Sequence, residues 1–286
     1  MNPWILGARP RTLPAAVVPV AIGAAAAVGV GGADWWRTAL ALVVSLALQI
    51  GVNYANDYSD GVRGTDDVRV GPARLVGGGI KPAAAVKRAA FAAFGFAVLA
   101  GAVLVVFVGW ELIPVGVAAV AAGWFYTGGP KPYGYLGLGE IFVFVFFGLV
   151  ATVGTTYVLV EQVTWISVVA GCGAGSLACA LLAVNNLRDI PTDRVSGKKT
   201  LAVRLGDAWT RVFYISLVGG AFASVVACGI SRPWALLGLA SIPLSIPPLK
   251  VVRRGATGRE LIEALGGTGR LQMVYGLAFA VGLALG

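Results

Sequence analysis

The chain has 286 residues, of which 58% are hydrophobic and only 12% charged, with a mean hydropathy of +0.83. Ordinary soluble domains carry about 25% charged residues, so this composition excludes a water-soluble globule and describes an integral membrane protein. The formal net charge of +9 comes without a single histidine, which removes Ser-His and Cys-His nucleophile systems, His-ligated haem and His-based zinc sites.

Taken in chain order, apolar runs of roughly 17–25 residues predict nine membrane-spanning helices, at 13–31, 36–55, 84–108, 111–127, 137–160, 164–187, 209–229, 232–252 and 268–286. No polar linker or low-complexity stretch divides them, so residues 1–286 read as one all-α membrane domain. The start, MNPWILGARPRTLPAAVVPV, lacks the layout of a cleavable signal peptide and reads as an interfacial lead-in to the first span. Cys172, Cys179 and Cys228 fall within spans and read as packing residues rather than a disulfide framework. The 41 glycines suit close helix packing in lipid.

The bases separate by connection. Of 22 Lys plus Arg, only Arg37 and Arg232 fall on one side of the predicted membrane; the rest precede span one or lie between spans two and three, four and five, six and seven, and eight and nine. The positive-inside rule then places the N-terminus and these loops in the cytoplasm. Topology thereby accounts for the basic balance, with no nucleic-acid partner needed.

Two polar stretches break the apolar pattern. Span two ends in NYANDYSDGVRGTDD, residues 53–67, with Asp57, Asp60, Asp66 and Asp67. On a helix Asn53 and Asp57, and likewise Asn56 and Asp60, stand four apart and share a face. Span six ends in NNLRDIPTD, residues 185–193, where Asn185, Asp189 and Asp193 repeat the four-residue step and Pro191 predicts a kink. The similar placement is a weak sign of a parallel repeat. Together the two stretches hold six of the 13 acids, whereas Glu111 and Glu161 read as solvated at far-side turns. A carboxylate near hydrocarbon costs roughly 2.5–3.5 kcal/mol on insertion scales, so a cation is expected there. Carboxylate and amide oxygens suit Mg²⁺, which characteristically bridges carboxylates to phosphate oxygens.

Counter-charge follows nearby: Arg63, Arg69 and Arg74 after the first stretch, Lys131 with Tyr126 and Tyr133 in GWFYTGGPKPYGYLGLGE, and Lys198, Lys199 and Arg204 in SGKKTLAVRLG. For Lys131 and Lys199, topology alone is an equal rival to substrate contact. No nucleotide-binding glycine motif occurs in a strand-to-helix setting. What remains is chemistry in which metal ions and bases draw off a diphosphate, leaving a carbocation that needs dry, aromatic walls.

These motifs resemble the UbiA-type intramembrane aromatic prenyltransferases, whose NDxxD and DxxxD segments match Asn56-Asp57-Tyr58-Ser59-Asp60 and Asp189-Ile190-Pro191-Thr192-Asp193. The likeness runs from ARPRTLPAAVVPV to GKKTLAVRLG, and NDYSDGVRGTDD with GPARLVGGGIKP points to the branch that prenylates 1,4-dihydroxy-2-naphthoate in menaquinone synthesis. The resemblance implies nine helices around a central cavity, with a cytoplasmic cap carrying both Asp-rich motifs in a bacterial cell membrane. It implies two Mg²⁺ ions: one on Asn56 and Asp60 with Asn53 or Asp57, the other on Asp189 and Asp193 with Asn185 or Asn186 nearby. Lys131, Lys199, Arg63 and Arg11 would take diphosphate oxygens, and Tyr126 would contact diphosphate or cation. Asp57 would either assist deprotonation of the acceptor hydroxyl or hold metal. The partners implied are a polyprenyl diphosphate, 1,4-dihydroxy-2-naphthoate and membrane lipid, with loss of diphosphate, CO₂ and a proton giving demethylmenaquinol. A sibling enzyme using homogentisate or 4-hydroxybenzoate, and an ion-coupled transporter, stay open as alternatives; a phosphatidyltransferase is disfavoured because its aspartate signature is absent.

Overall fold

The structure, a computed structural model, describes residues 2–64 and 74–286, so Asp66, Asp67 and Arg69 lie outside the described residues. The described chain is helical throughout, in eleven α-helices with short 3₁₀ and π stretches. Asn2 caps α1 (Pro3–Ala8) by accepting from the Trp4 amide. A left-handed Arg9 and a 3₁₀ turn (Pro10–Thr12) then lead into α2 (Pro14–Val28), bent by 50° from the lead-in. The long helices α3 (Trp35–Val62) and α4 (Ala83–Phe107) follow, then the short α5 (Leu112–Phe125). Helices α6 (Gly139–Val143) and α7 (Ala151–Val160), joined by a π-helical stretch, make one continuous span. Next come α8 (Trp165–Val195), α9 (Leu201–Gly229), a 3₁₀ segment (Pro233–Ser241) running into α10 (Ile242–Arg253), and α11 (Glu260–Leu285).

The nine predicted spans therefore each have a helix, of unequal kind. Seven are long and apolar enough to cross a membrane, and the bent N-terminal pair makes an eighth. The ninth, α5, has 14 residues, or about 21 Å at 1.5 Å per residue, short of a bilayer core of about 30 Å. Two boundaries differ for physical reasons. Helix α9 starts eight residues before the predicted span and is interrupted at Gly206, whose φ of 77° only glycine adopts without strain. Pro191 does not break α8, which runs on to Val195. It lies close to the helix end, where its missing N–H removes one of the last ladder bonds and leaves the earlier turns intact.

Helix α8 is the central element. Of its apolar window 72% is buried, against 28–44% for the other six long spans. Its small residues make that possible: a Cβ on Gly173 would come within 2.0 Å of Ser224 Oγ and 2.3 Å of Tyr275 Oη, and one on Gly148 within 2.5 Å of Gly175 Cα. Backbones in lipid gain contact by such close approach. The larger apolar core joins α2, α8, α9, α10 and α11, while a smaller one packs the end of α3 against α4 and Leu75. Cys179 and Cys228 are buried and all three cysteines are free thiols, as the packing role requires. The two bases assigned to the far side sit there together with far-side backbone: Arg37 donates to Val158 and Phe107 carbonyls, and Arg232 to those of Ala26 and Leu283. Glu111 is more than solvated, since it accepts from Tyr157 Oη at 2.7 Å, and Glu161 faces Arg37 at 3.5 Å.

Candidate active site

Between the two cores lies one large cavity of about 1770 Å³, reaching from the ends of α3 and α8 down to α4, α5 and α7. Its deep part is lined by Val44, Leu48, Val105, Val120, Phe146, Phe147 and Val150. An aromatic ladder descends one wall: Tyr126 meets Tyr133 edge-on at 5.5 Å, Tyr133 stacks on Phe142 at 3.9 Å, and Phe142 on Phe146 at 6.1 Å. The head of the cavity is polar. Asn53, Asn56, Asp60, Asn185, Asn186, Asp189 and Asp193 all line it, with Arg9, Arg11, Arg74 and Lys198.

The first motif is held from three sides. Asn53 is buried and donates to the Ala8 carbonyl and Thr12 Oγ1, both at 2.9 Å, so it anchors the lead-in to α3. Asn56 accepts from Thr127 Oγ1 at 2.8 Å. Asp60, 4% exposed, accepts from Tyr135 Oη at 2.7 Å and Lys198 Nζ at 3.1 Å. The Lys198 ammonium also lies over the Tyr135 ring, 4.5 Å from its centroid. Burial works against its charge, but the Asp60 carboxylate, then Tyr135 and Asp193, outweigh that and hold it above the ordinary lysine range. Burial likewise raises the Tyr133 phenol, which stays a neutral hydroxyl donating to the Ala122 carbonyl.

Part of the second motif's bracing comes from its own helix. Arg188 grips Asp189 with Nε and Nη2, both at 2.7 Å, and Nη2 also reaches Asn185 Oδ1 at 2.9 Å. Asn186 donates to the buried Glu140 at 2.9 Å. Asp193 accepts from Thr200 Oγ1 at 3.4 Å. Beyond it Gly197, at φ 74°, closes the helix end, and the Lys198 amide bonds back to the Asp193 carbonyl at 2.9 Å. That left-handed glycine cap folds Lys198 back beneath the two motifs.

Four expectations are corrected. Asp57 does not line the cavity: its carboxylate, 1% exposed, accepts the Leu75 and Val76 amides at 3.0 and 2.9 Å, so it fixes the loop after the first motif. Lys199 is exposed and off the cavity lining, its amide donating to the Tyr135 carbonyl and its carbonyl accepting from Arg204; its neighbour Lys198 occupies the cavity, because the chain reverses at Gly197. Lys131 is exposed and outside the cavity lining, at the tip of its Gly/Pro turn. Arg63 also lies off the lining; it donates to the Thr127 and Gly129 carbonyls and packs over Tyr135 at 5.2 Å, bracing that loop. Arg11 and Tyr126 do line the cavity. Sequence reasoning missed Arg188, Glu140, Thr127 and Tyr135 as supports of the motifs. The glycine at the α8 cap was the readable sign that would have favoured Lys198.

Among the described residues no three His, Cys, Asp or Glu side chains converge on one point. The donor chemistry nevertheless fits Mg²⁺, which needs only one or two carboxylates when amide, water and phosphate oxygens complete its octahedron. Here Asp60 with Asn56, and Asp189 and Asp193 with Asn185, present such oxygens to one cavity head. The arrangement can bind an anionic head beside a long apolar chamber.

Comparison with known proteins agrees. Residues 16–260 match the model of the UbiA prenyltransferase family. A Mycobacterium tuberculosis protein named 1,4-dihydroxy-2-naphthoate octaprenyltransferase is 50% identical over 99% of this chain and 97% of its own. An Escherichia coli protein of the same name is 34% identical over 99% of this chain and 95% of its own. Among solved structures, an apo UbiA homolog from Aeropyrum pernix superposes with a TM-score of 0.72 over 93% of this chain and 97% of that one, at 13% identity. A UbiA homolog from Archaeoglobus fulgidus bound to GPP and Mg²⁺ gives 0.70 over 98% and 100%, at 14% identity.

Proposed function

The chain belongs to the UbiA prenyltransferase family, and from that membership we propose that it transfers a polyprenyl group from polyprenyl diphosphate to 1,4-dihydroxy-2-naphthoate, releasing diphosphate and CO₂ to give demethylmenaquinol. The observation that carries this reading is the 50% identity, over nearly the whole length of both chains, to a relative bearing that activity in its name. The cavity supports it: oxygen donors at one end, an apolar, aromatic-walled chamber for a polyprenyl chain at the other.

Two Mg²⁺ ions would be held by Asn56 and Asp60 and by Asn185, Asp189 and Asp193, and when bound they supply the positive charge that makes diphosphate a good leaving group. The chain's own part is to bind, orient and exclude water. Lys198, with Arg11 beside the lead-in, supplies cationic donors to phosphate oxygens. As the allylic C–O bond breaks, its electron pair leaves with the diphosphate. The naphthoate ring then supplies the pair for the new C–C bond, and the electrons released with CO₂ restore its aromaticity. Tyr126, Tyr133 and Phe142 present ring faces and edges to the cation and keep water away from it. The active end faces the cytoplasm of a bacterial membrane, a reading that rests on the distribution of bases.

The test is transfer by purified protein in detergent, from labelled polyprenyl diphosphate to 1,4-dihydroxy-2-naphthoate, with Mg²⁺ and with EDTA. Metal-dependent lipid-phase product is expected. Product only with homogentisate or 4-hydroxybenzoate would keep the family and overturn the acceptor.

A further inference from the structure

Five bases line the cavity among the described residues: Arg9, Arg11, Arg74, Lys198 and Arg270. The first four belong to the lead-in or to loops at the head. Arg270 alone stands within a long apolar helix: read from the sequence as a base of the connection before span nine, it lies ten residues into α11. An ionised side chain at membrane depth is costly unless it faces a polar cavity and has a partner there. Arg270 lines the cavity and is exposed, and its side chain makes no hydrogen bond or ion pair to any described residue. A lysine or arginine serving only topology would be expected in the preceding loop, where Arg253, Arg254 and Arg259 already are.

Its depth can be read from the packing. A Cβ on Gly269 would lie 4.0 Å from Leu181 Cδ1 of α8, so residue 270 is level with the turn of α8 just before Asn185. The loop before α11 is at the head end, because Arg211 near the start of α9 holds the Val252 and Ala256 carbonyls. Helical side chains lean toward their own N-terminus, which for α11 is the head. A side chain leaning that way would reach from the level of Leu181 toward that of Asn185, one helical turn or about 6 Å along the axis. Leu181, Leu182, Leu265 and Met273 line the same cavity and give it apolar surface of a kind that an aromatic ring can cover.

The proposed acceptor has a need that matches. Its ring must approach the allylic carbon next to the diphosphate, which brings its own carboxylate into a region holding Asp60, Asp189 and Asp193. That carboxylate requires a cation other than those neutralising diphosphate. We propose that Arg270 is the residue that binds the acceptor's carboxylate, orienting the ring from the α11 wall and selecting carboxylated acceptors. This rests on the transferase reading above and names the specificity element within it.

The experiment compares wild type, Arg270→Gln and Arg270→Lys, varying each substrate in turn and adding 1,4-dihydroxynaphthalene as the acceptor without a carboxylate. Loss of one charge-assisted contact predicts a roughly 10- to 100-fold rise in KM for the naphthoate in Arg270→Gln, with partial recovery in Arg270→Lys. KM for polyprenyl diphosphate and its Mg²⁺-dependent binding should change less than about twofold, since the group contacts neither. The preference for carboxylated over plain diol should shrink by the same factor. A preference that survives in Arg270→Gln, or a parallel rise in both KM values or loss of diphosphate binding, would overturn the assignment. Wild type that uses no naphthoate at all would instead overturn the acceptor reading on which this assignment rests.

Discussion

The two acidic motifs look alike in sequence, yet the molecule holds them differently. The end of α3 is a junction: Asn53 ties down the lead-in, Asn56 meets Thr127, Asp57 clamps Leu75 and Val76, and Asp60 takes Tyr135 and Lys198 from two further segments. At the end of α8, Arg188, Asn185 and Asp189 bond within one turn, while Asn186 meets Glu140 and Asp193 meets Thr200. The lesson is that carboxylates at equal spacing divide between positioning and binding according to which non-local partners reach them. In the first motif Asp57 is enclosed while Asp60 faces the cavity; in the second both Asp189 and Asp193 face it.

The hardest test removes the cavity-facing acids of each motif. Asp60→Ala and Asp189→Ala should each reduce transfer by roughly a thousandfold, as loss of preorganised charge at a leaving group does, read as lipid-phase product. Retained turnover in either would break the claim that both ends act on one substrate. Next in size, Lys198→Ala should cost about 10- to 100-fold in kcat/KM, because it bridges the two motifs. Lys199→Ala, one residue away, should stay within about twofold, as expected of an exposed group off the cavity. Equal effects would mean that the reversal at Gly197 does not select between them.

Asp57→Asn sharpens the contrast further. Replacing a carboxylate that accepts two backbone amides should destabilise the fold by about 1–3 kcal/mol, seen as a lower melting temperature in detergent. Its Mg²⁺ dependence should match wild type, whereas a raised metal requirement would return Asp57 to the ligand set. The smallest effect is predicted for Lys131→Ala, unchanged within about twofold, because its exposed side chain lies outside the cavity lining.

Much of this is legible in the sequence. Hydropathy marked a helix at each of the nine places, since lipid admits only segments that satisfy their own backbone. The spacing of Asn56 with Asp60 and of Asp189 with Asp193 identified oxygen donors suited to Mg²⁺, because i,i+4 residues share a helical face whatever surrounds them. Local rules decided less elsewhere. Pro191 bears on the geometry of the second motif but does not end α8, which runs on to Val195. The adjacent Lys198 and Lys199 are equivalent by composition, and only the left-handed turn at Gly197 separates them.

What the sequence by itself determined is therefore the membrane class, the helix ends and the chemical type of the site, all properties of near neighbours along the chain. The tertiary structure alone decided that Asp57 clamps Leu75 and Val76, that the Lys198 ammonium meets Asp60, and that Arg270 lines the cavity from α11. Each depends on residues tens to hundreds of positions apart in sequence, whose proximity is set by packing around α8, and no local period encodes it.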